Sequence, residues 1–509
     1  MASNTDEDTL DEVLRDKAKI EELPDSDTES GEPNKHEVRF PGQPSGIPFP
    51  GSHLKRDVHP LPPWLSPQSL DLFPQDISAS TTAQSFDRVR KECLPLLLGE
   101  ETQDLPLNKY GLPHLRRQQH IQFLHGTLGN LPAPYVALDA ARPWLFYWGF
   151  SGLTVLGEEV TEYRDRLIDT VRPMQNPLGG YGGGHGQFSH CAASYACVLA
   201  LAMVDALEEV NRNTMWHWLG KIKQANGGFR MAENGELDIR GAYCAFIMIT
   251  VLNLPMELPP SSPARHAGLK TFDDGLGEYI ASLQTFEGGF GATPGDEAHG
   301  AYAFLAMGCL SMIDAPHKII PKYIDIPALL RWMALQQTHP EGGFAGRTNK
   351  LVDACYSQWI GGTWALLQAA LGPGAQEATE NIWNKQALTR YLLTCAQQPG
   401  KKGGMRDKPS TKPDGYHTTY ALAGLSAAMN HYHYDTDAPV RSDSGRLIAA
   451  FNWSAEKGNE EELEKLGVEQ SDVVGHVHPV YVMPFNVVEK FKCRFVEGGW
   501  KAPEGQDNA

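Results

Sequence analysis

The sequence has no long hydrophobic run and no cysteine pair in a CxxC motif. No apolar stretch approaches the roughly 20 residues that a membrane-spanning helix requires, so stable membrane insertion is not expected. An apolar segment near the N-terminus is also missing, which argues against secretion. The eight cysteines are therefore expected to be reduced thiols in a cytoplasmic protein.

Positive charge is scarce, because 44 Lys and Arg residues stand against 62 Asp and Glu residues, for a net charge of −18. Nucleic acids and anionic membranes bind to basic surfaces, so neither is an expected partner. An anionic ligand would need a local basic pocket within this acidic chain. With 21% charged residues, the composition is that of an ordinary globular protein.

Glycine, in contrast, is abundant and follows a pattern. Five pairs of glycines each precede an apolar residue, and a tyrosine follows 14 to 17 residues after the first glycine of each pair. The pairs begin at Gly179, Gly227, Gly288, Gly342 and Gly403, and the tyrosines are Tyr195, Tyr243, Tyr302, Tyr356 and Tyr420. Internal repeats of this length are typical of stacked supersecondary units.

Each repeat predicts a pair of helices. A helix rich in Leu and Trp ends near a glutamine, and the glycine pair then suits a helix end and a tight turn. After a polar loop comes a helix rich in alanine, whose apolar surface needs burial on most sides. The expected fold is therefore all-α, an α-α barrel or toroid with an inner and an outer ring of helices. An open solenoid is the alternative.

The toroid is expected to occupy residues 71–495 and to lose the repeat from about residue 432. Residues 1–70 are acidic and then rich in proline and glycine, which predicts a mostly disordered extension. Helical spacing of apolar residues predicts the first ordered helix between Leu112 and Leu131. The segment from His478 to Phe495 is expected to close the last repeat, and residues 496–509 to form a flexible tail.

The residue three positions before each repeat tyrosine should fall in an equivalent place when repeats stack. These positions hold Ala192, Arg240, His299, Asp353 and His417. We expect them to line one rim of the assembly. Four of the five can carry charge or bind a metal.

Asp353, Cys355 and His417 offer one oxygen, one sulfur and one nitrogen ligand. Because Asp353 and His417 occupy this recurring position in consecutive repeats, the toroid would place them side by side. Three protein ligands with an open position are typical of a catalytic zinc site. From spacing alone, a structural cysteine and a hydrogen-bonded histidine are the competing interpretation.

A second group of polar residues comes from the third and fourth repeats: His299, Arg347, Lys350 and Tyr356. Cations and a hydroxyl near helix N-termini suit a phosphate or diphosphate, although exposed Arg and Lys often form only a solvated surface. Aromatic residues that face the centre would form an apolar cavity for a long hydrocarbon, and otherwise they belong to the core. The residues concerned are Trp144, Trp148, Tyr243, Tyr302 and Trp359.

Several motifs, in this order, resemble those of the protein farnesyltransferase β subunit family. They include Asp-Ala-Ala-Arg-Pro-Trp-Leu-Phe-Tyr-Trp at 139–148, Glu-Ala-His-Gly-Ala-Tyr at 297–302 and Tyr-His-Thr-Thr-Tyr at 416–420. The longest is Gly-Arg-Thr-Asn-Lys-Leu-Val-Asp-Ala-Cys-Tyr-Ser-Gln-Trp at 346–359. The resemblance extends from about Leu112 to His431.

The resemblance implies an enzyme that transfers farnesyl from farnesyl diphosphate to the cysteine of a C-terminal CaaX sequence. It also implies an obligate α subunit. Asp353, Cys355 and His417 would bind zinc and act in catalysis with Lys350 and Tyr356. The residues implied to bind farnesyl diphosphate are His299, Arg347, Lys350, Tyr356, Trp144, Arg240, Tyr243, Tyr302 and Trp359. Those implied to contact the peptide are Trp144, Trp148, Ala192 and Tyr416, and Asp407 would hold a magnesium ion.

The resemblance also separates the competing functions. Geranylgeranyl-transferring relatives carry smaller residues at two positions in the tunnel floor, where this chain has Trp144 and Tyr420. The farnesyl donor is therefore favoured, and a geranylgeranyltransferase type I β subunit is the alternative. A protonating terpene cyclase would need an Asp-x-Asp-Asp motif, which this sequence lacks. A helical scaffold without activity would bind no zinc.

Overall fold

The computed structural model describes residues 61–71 and 80–500, except residues 102, 104, 338, 373, 376–378, 380 and 381. Most of the predicted extension (1–60) and of the predicted tail (501–509) lies outside the described residues, so both assignments stay predictions. In the part of the chain that the structure describes, no helix is long and apolar enough to span a membrane.

The described chain is mainly α-helical, with one small sheet. In chain order, the helices are α1 (Pro67–Asp71), α2 (Thr81–Leu98), α3 (Arg117–Thr127), α4 (Arg142–Val155), α5 (Arg164–Val171), α6 (Cys191–Met203), α7 (Arg212–Ile222), α8 (Ile239–Val251), α9 (Pro263–His266), α10 (Leu276–Ser282), α11 (Gly300–Ile313), α12 (Pro316–Tyr323), α13 (Ile326–Ala334), α14 (Tyr356–Trp359), α15 (Thr363–Leu371), α16 (Lys385–Tyr391), α17 (Gly415–Met429), α18 (Glu460–Leu466) and α19 (Phe485–Phe491). The strands are β1 (Asn430–Tyr434) and β2 (Trp453–Lys457), which pair antiparallel.

The first ordered helix is not where the apolar spacing predicted it. Helix α3 does lie between Leu112 and Leu131, but α1 and α2 precede it. Ser80 caps α2 by accepting a hydrogen bond from the backbone N–H of Ala83, and Gly99 ends the helix in the left-handed conformation. Apolar spacing in α2 is interrupted by charged residues, which hid the helix in the sequence.

The highly apolar helices form a closed inner ring. Helix α4 packs on α6, α6 on α8, α8 on α11 and α11 on α14; α14 then packs on α17, which returns to α4. Every residue of α6 is buried, and in α11 only Ala301 and Tyr302 are not. The toroid is thus confirmed, and the open solenoid is excluded because the last inner helix contacts the first.

The first glycine of each pair joins neighbouring repeats. Gly179 has φ +100°, and a Cβ there would lie 2.0 Å from the backbone oxygen of Thr214 in the next outer helix, α7. Gly403, in the last repeat, would bring its Cβ within 2.1 Å of the backbone oxygen of Gln119 in α3. Glycine is required at both positions by the backbone conformation and by the close approach. The contact of Gly403 with the first outer helix closes the ring.

Backbone hydrogen bonds hold the N-terminal ends of the inner helices at one rim. The N–H of Ile239 donates to the oxygen of Ala292 at 3.1 Å, and the N–H of Gly300 donates to Gly346 at 2.8 Å. Ala354, just before α14, donates to Asp407 at 3.2 Å. These inner helices therefore begin against the loop of the next repeat, which brings residues of consecutive repeats together at this rim.

The segment 478–482, which was predicted as part of the stretch that closes the last repeat, contacts inner helices of earlier repeats. The hydroxyl of Tyr147 donates to the backbone oxygen of Val482 and that of Tyr243 donates to Val480, both at 2.7 Å. Val480, Tyr481 and Val482 are buried. Because Tyr147 belongs to α4 and Tyr243 to α8, this segment is bonded to the first and third helices of the inner ring.

Candidate metal and anion site

The recurring positions predicted from the repeats lie near the N-terminal ends of the inner helices, with Asp353 before its helix, His299 at a cap, and Ala192, Arg240 and His417 in the first turn. His299 caps α11 by accepting, through Nδ1, a hydrogen bond from the N–H of Ala301 at 3.1 Å. Asp414 caps α17 and Asp238 caps α8 in the same way. Polar side chains at these helix ends satisfy backbone donors and also face the rim.

Asp353, Cys355 and His417 meet at this rim. Their potential ligand atoms all lie within 4.8 Å of one another. The Nε2 atom of His417 is 3.2 Å from a carboxylate oxygen of Asp353, which also accepts the backbone N–H of Cys355 at 2.8 Å. Cys355 and His417 are buried, and Asp353 is partly exposed. The three groups converge on one small volume, as the sequence predicted.

Asp414 is a site residue that the sequence did not reveal. Its carboxylate accepts a hydrogen bond from Nδ1 of His417 at 2.8 Å, which leaves Nε2 directed at Asp353. A carboxylate behind a histidine is the usual arrangement around a metal-binding imidazole, because it fixes the tautomer and the ring. The signal available in the sequence was an acidic residue three positions before His417.

The pKa values of the three groups depend on burial and on one another's charges. Burial raises the pKa of Cys355 to about 12, and the charge of Asp353 adds to this increase. Burial opposes the charged forms of Asp353 and His417, yet their mutual attraction lowers the pKa of Asp353, while Asp414 and Asp353 raise that of His417. A divalent cation could replace the protons that these groups share. The donor set of oxygen, sulfur and nitrogen fits zinc.

His299 and Tyr356 form the centre of the predicted anion-binding group. The Tyr356 hydroxyl is 3.1 Å from Nε2 of His299. Burial, aided by the charge of Arg347, lowers the pKa of His299 to about 3, so this histidine is neutral near pH 7. A Cβ on Gly346 would lie 1.8 Å from the ring of Tyr356, so only glycine allows the loop to approach the tyrosine so closely.

The two cations of this group differ in their surroundings. Arg347 forms an ion pair with Glu297 at 3.0 Å, an interaction that the sequence did not predict. Lys350 is exposed, and its backbone N–H donates to the oxygen of Arg347 at 3.3 Å within a turn. Asn349 has φ +60° in that turn, a conformation that asparagine tolerates better than most residues. The turn therefore presents both cations from one short loop.

Asp407 lies in the loop that receives the N-terminal end of α14. Its carboxylate pairs with Lys408, while its buried Oδ1 atom has no hydrogen-bond partner among the described residues. Burial and the nearby charge of Asp353 raise the pKa of Asp407 to about 6. The assignment of magnesium to Asp407 stays a prediction.

Aromatic rings from all six inner helices among the described residues form a continuous circuit. Trp144 contacts Tyr195 at 5.6 Å, Tyr195 contacts Tyr243 at 6.0 Å, and Tyr243 contacts Phe304 at 6.0 Å. The circuit continues through Trp359, Tyr420, Tyr416 and Trp148 back to Trp144. Tyr195 and Phe304 were not predicted as lining residues. In the sequence, an aromatic residue that faces the centre of the ring looks the same as one that packs between the two layers of helices.

The remaining predicted residues have distinct environments. Arg240 is bound by the carboxylate of Asp238 at 2.6 Å, and Tyr302 packs its ring against His299 at 4.8 Å. Tyr416 accepts a hydrogen bond from the indole of Trp359 at 3.0 Å. Ala192 is only 2% exposed, so it offers little surface to a ligand.

Comparisons with known proteins identify the fold and the family. Residues 115–483 match the family model described as the prenyltransferase alpha-alpha toroid domain. The protein farnesyltransferase subunit beta of Pyricularia oryzae is 44% identical over 84% of this chain and 84% of that protein. The geranylgeranyl transferase type-1 subunit beta of Arabidopsis thaliana is 26% identical over 68% of this chain and 93% of that protein.

A solved structure of Candida albicans protein geranylgeranyltransferase-I complexed with GGPP shares the fold, with a TM-score of 0.54 and 19% identity over 74% of this chain and 98% of that one. At this identity, the likeness concerns the fold alone. The family model and the relative from Pyricularia oryzae, in contrast, each span most of the chain. The chain belongs to the prenyltransferase alpha-alpha toroid family and, within it, to the protein farnesyltransferase β subunits.

Proposed function

We propose that this chain is the catalytic β subunit of a heterodimeric protein farnesyltransferase, which transfers farnesyl from farnesyl diphosphate to the cysteine of a C-terminal CaaX motif. The observation that carries the proposal is the convergence of Asp353, Cys355 and His417 within 4.8 Å, at the same rim as His299, Arg347 and Tyr356. Membership of the farnesyltransferase β subunits supports the donor and the acceptor.

The triad is proposed to hold one zinc ion. Zinc would supply a Lewis acid that keeps a coordinated substrate thiol ionised near pH 7. Asp353, Cys355 and His417 provide three ligands, and Asp414 fixes the orientation of His417. The nucleophile then belongs to the substrate, and Cys355 acts only as a ligand.

The second group is proposed to stabilise the negative charge that grows on the departing diphosphate. The neutral His299 and Tyr356 donate hydrogen bonds from the ends of their inner helices, while Arg347 and Lys350 supply positive charge. The buried oxygen of Asp407, which has no hydrogen-bond partner within the described part of the chain, supports a magnesium ion there.

The aromatic circuit is proposed to hold the isoprenoid, and the half-buried residues Trp144, Trp148 and Tyr416 to border the peptide. Arg240, Tyr243, Tyr302 and Trp359 would line the isoprenoid path, with Ala192 near the peptide. The α subunit is the proposed obligate partner. We place the reaction in the cytoplasm, where the free thiol of Cys355 would stay reduced.

A type I geranylgeranyltransferase is the second candidate. The relative of that type has 26% identity, against 44% for the farnesyltransferase subunit. The bulk of Trp144 and Tyr420 also favours the shorter donor.

The zinc site is tested by replacing Cys355 or His417 with alanine in the chain co-expressed with an α subunit. Each variant should lose bound zinc, measured by elemental analysis, and should lose farnesyl transfer to a CaaX peptide by at least about 100-fold. Farnesyl diphosphate should still bind, since its proposed contacts are elsewhere. Chelation of zinc in the unmodified enzyme should have the same effect.

Cys197→Ala is the matched control, because Cys197 is equally buried but lies within α6, away from the triad. It should keep its zinc and its activity. Full activity of the Cys355→Ala or His417→Ala variant would contradict the proposed function.

A further inference from the structure

The loop that carries Arg347 and Lys350 is held by a histidine from outside the loop. His339 precedes the glycine pair of the fourth repeat, and its Nε2 atom is 3.1 Å from the backbone oxygen of Lys350. With a carbonyl as acceptor, Nε2 is the donor. A single side chain thus connects the turn before Gly342 to the residue that supplies one of the two cations.

An equivalent contact exists in the first repeat, where the loop carries neither of the two cations. Comparing the two repeats therefore separates the contribution of this contact to loop structure from its contribution to anion binding. Asn176 lies three residues before Gly179, as His339 lies three residues before Gly342. Its amide donates to the backbone oxygen of Gln187 at 3.0 Å, the position that corresponds to Lys350. The contact therefore recurs in the first and fourth repeats, and in the fourth it acts on a cationic loop.

The fourth repeat adds a second contact, to a helix outside the repeats. The ring of Phe86, in α2, lies 4.8 Å from the ring of His339, with an angle of 31° between the ring planes. Helix α2 is itself fixed to the fifth repeat, since Arg390 donates to the backbone oxygen of Leu97 at 2.7 Å. Phe86 thus supports the histidine from a helix that is anchored independently.

We propose that His339 is a positioning residue that holds Lys350 for the diphosphate and that Phe86 of α2 supports it. This inference rests on the proposed function, because it assigns a role to the neighbour of a proposed diphosphate ligand. The hydrogen bond to the oxygen of Lys350 and the bond within the turn from Lys350 to Arg347 fix the backbone from both sides. Without the histidine, the lysine must be ordered when the ligand binds, which weakens binding.

The experiment uses the heterodimer and measures inhibition by inorganic pyrophosphate, together with KM for farnesyl diphosphate and for the peptide. His339→Leu should raise the inhibition constant of pyrophosphate and the KM of farnesyl diphosphate by about fivefold, the effect of one hydrogen bond. The KM for the peptide should not change. His339→Gln, which can donate from a similar distance, should recover most of the affinity, and Phe86→Ser should show a smaller increase.

Two further variants distinguish positioning from a general loss of structure. Asn176→Leu removes the equivalent contact of the first repeat and should leave pyrophosphate inhibition unchanged. In the double variant His339→Leu with Lys350→Ala, the inhibition constant should equal that of Lys350→Ala alone, since the histidine acts through the lysine.

The outcomes separate this inference from the proposed function. If Lys350→Ala weakens pyrophosphate binding but His339→Leu does not, the positioning role is wrong and the proposed function stands. If Lys350→Ala has no effect, the proposed diphosphate role of Lys350 fails and the positioning role with it. Additive effects in the double variant would also overturn the positioning role.

Discussion

Glu297 places a negative charge beside Arg347, one of the proposed diphosphate ligands. Its carboxylate pairs with Arg347 at 3.0 Å, and both side chains are partly exposed, at 50% and 26%. An ion pair in such a position adds little to stability. A diphosphate that binds Arg347 must therefore compete with a carboxylate that costs little to displace.

Replacing Glu297 with glutamine should strengthen binding of farnesyl diphosphate about threefold, because one negative charge beside the ligand is removed. The gain should shrink as salt is added, since the groups are exposed. Equilibrium binding at two ionic strengths measures both effects. Glu456→Gln, the same change of charge on the exposed face of β2, is the control and should leave affinity unchanged. Weaker binding by the Glu297 variant would contradict this account.

At the scale of single residues, the sequence predicted those whose positions recur. Asp353 and His417 were identified by counting back three residues from the repeat tyrosines, and the triad they form with Cys355 is compact. In the structure, however, Asp353 corresponds to Asp414, because the backbone N–H groups of these two residues donate to Phe344 and Met405, each the residue after a glycine pair. Asp414 and Glu297 were not identified, because their roles depend on which side chain they contact rather than on spacing. Long-range pairing of this kind is not encoded in a local pattern.

The glycine turns between helices pack closely against the neighbouring repeat. In the last repeat, Gly403 has φ +66° and lies against the backbone of Gln119 in α3, while the next glycine, Gly404, lies against the ring of Phe123. Gly400, three residues earlier, also has a positive φ, +80°, but a Cβ there would meet nothing within 4 Å. A substitution at Gly400 would therefore test backbone strain alone, whereas one at Gly403 would test strain together with a clash between repeats.

Gly403→Ala should destabilise the protein more than Gly400→Ala. Both changes force alanine into the left-handed region, which costs about 1 kcal/mol. Only the Gly403 variant also pushes apart the first and last repeats, which should add about 2 kcal/mol to the loss. Urea unfolding of the heterodimer, followed by circular dichroism, compares the two. Equal losses would mean that ring closure does not depend on this contact.

At the scale of elements, the inner helix of the fourth repeat departs from the others. The sequence predicted one apolar helix after Asp353, but the structure has α14, which ends at Trp359, and α15, which begins at Thr363. Gly361 and Gly362 separate the two. A pair of glycines weakens a helix, yet apolar composition dominated the sequence pattern. Such an interruption is decided by packing rather than by periodicity.

Closure of the ring is a property of the whole molecule. Repeats of two helices predicted stacking, but an open stack and a closed ring share the same local pattern. The structure closes because α17 packs on α4 and because the last glycine pair meets α3. The first and last repeats meet through residues that are far apart in the sequence, such as Gln119 and Gly403. A local periodicity therefore cannot predict their contact.

The closed ring also determines how deep the interior can be. Tyr420 is buried and contacts Trp359 at 4.5 Å, while Trp144 stacks on Trp148 at 5.5 Å. Beyond them, Tyr147 and Tyr243 bind the segment 478–482. The proposed floor of the isoprenoid path thus consists of bulky side chains from two inner helices, and the inner ring is also bonded to a segment near the C-terminus.

If this floor limits the donor, Trp144→Thr combined with Tyr420→Phe should shift the preference from the fifteen-carbon towards the twenty-carbon diphosphate. Removing the indole frees volume where the longer chain would end, so the ratio of kcat/KM for the two donors should change by at least about tenfold. Trp218→Phe, in the outer helix α7, is the control, because Trp218 is as buried as Tyr420 but packs between repeats. A double variant that keeps the original preference would place the limit deeper, at the tyrosines that bind segment 478–482.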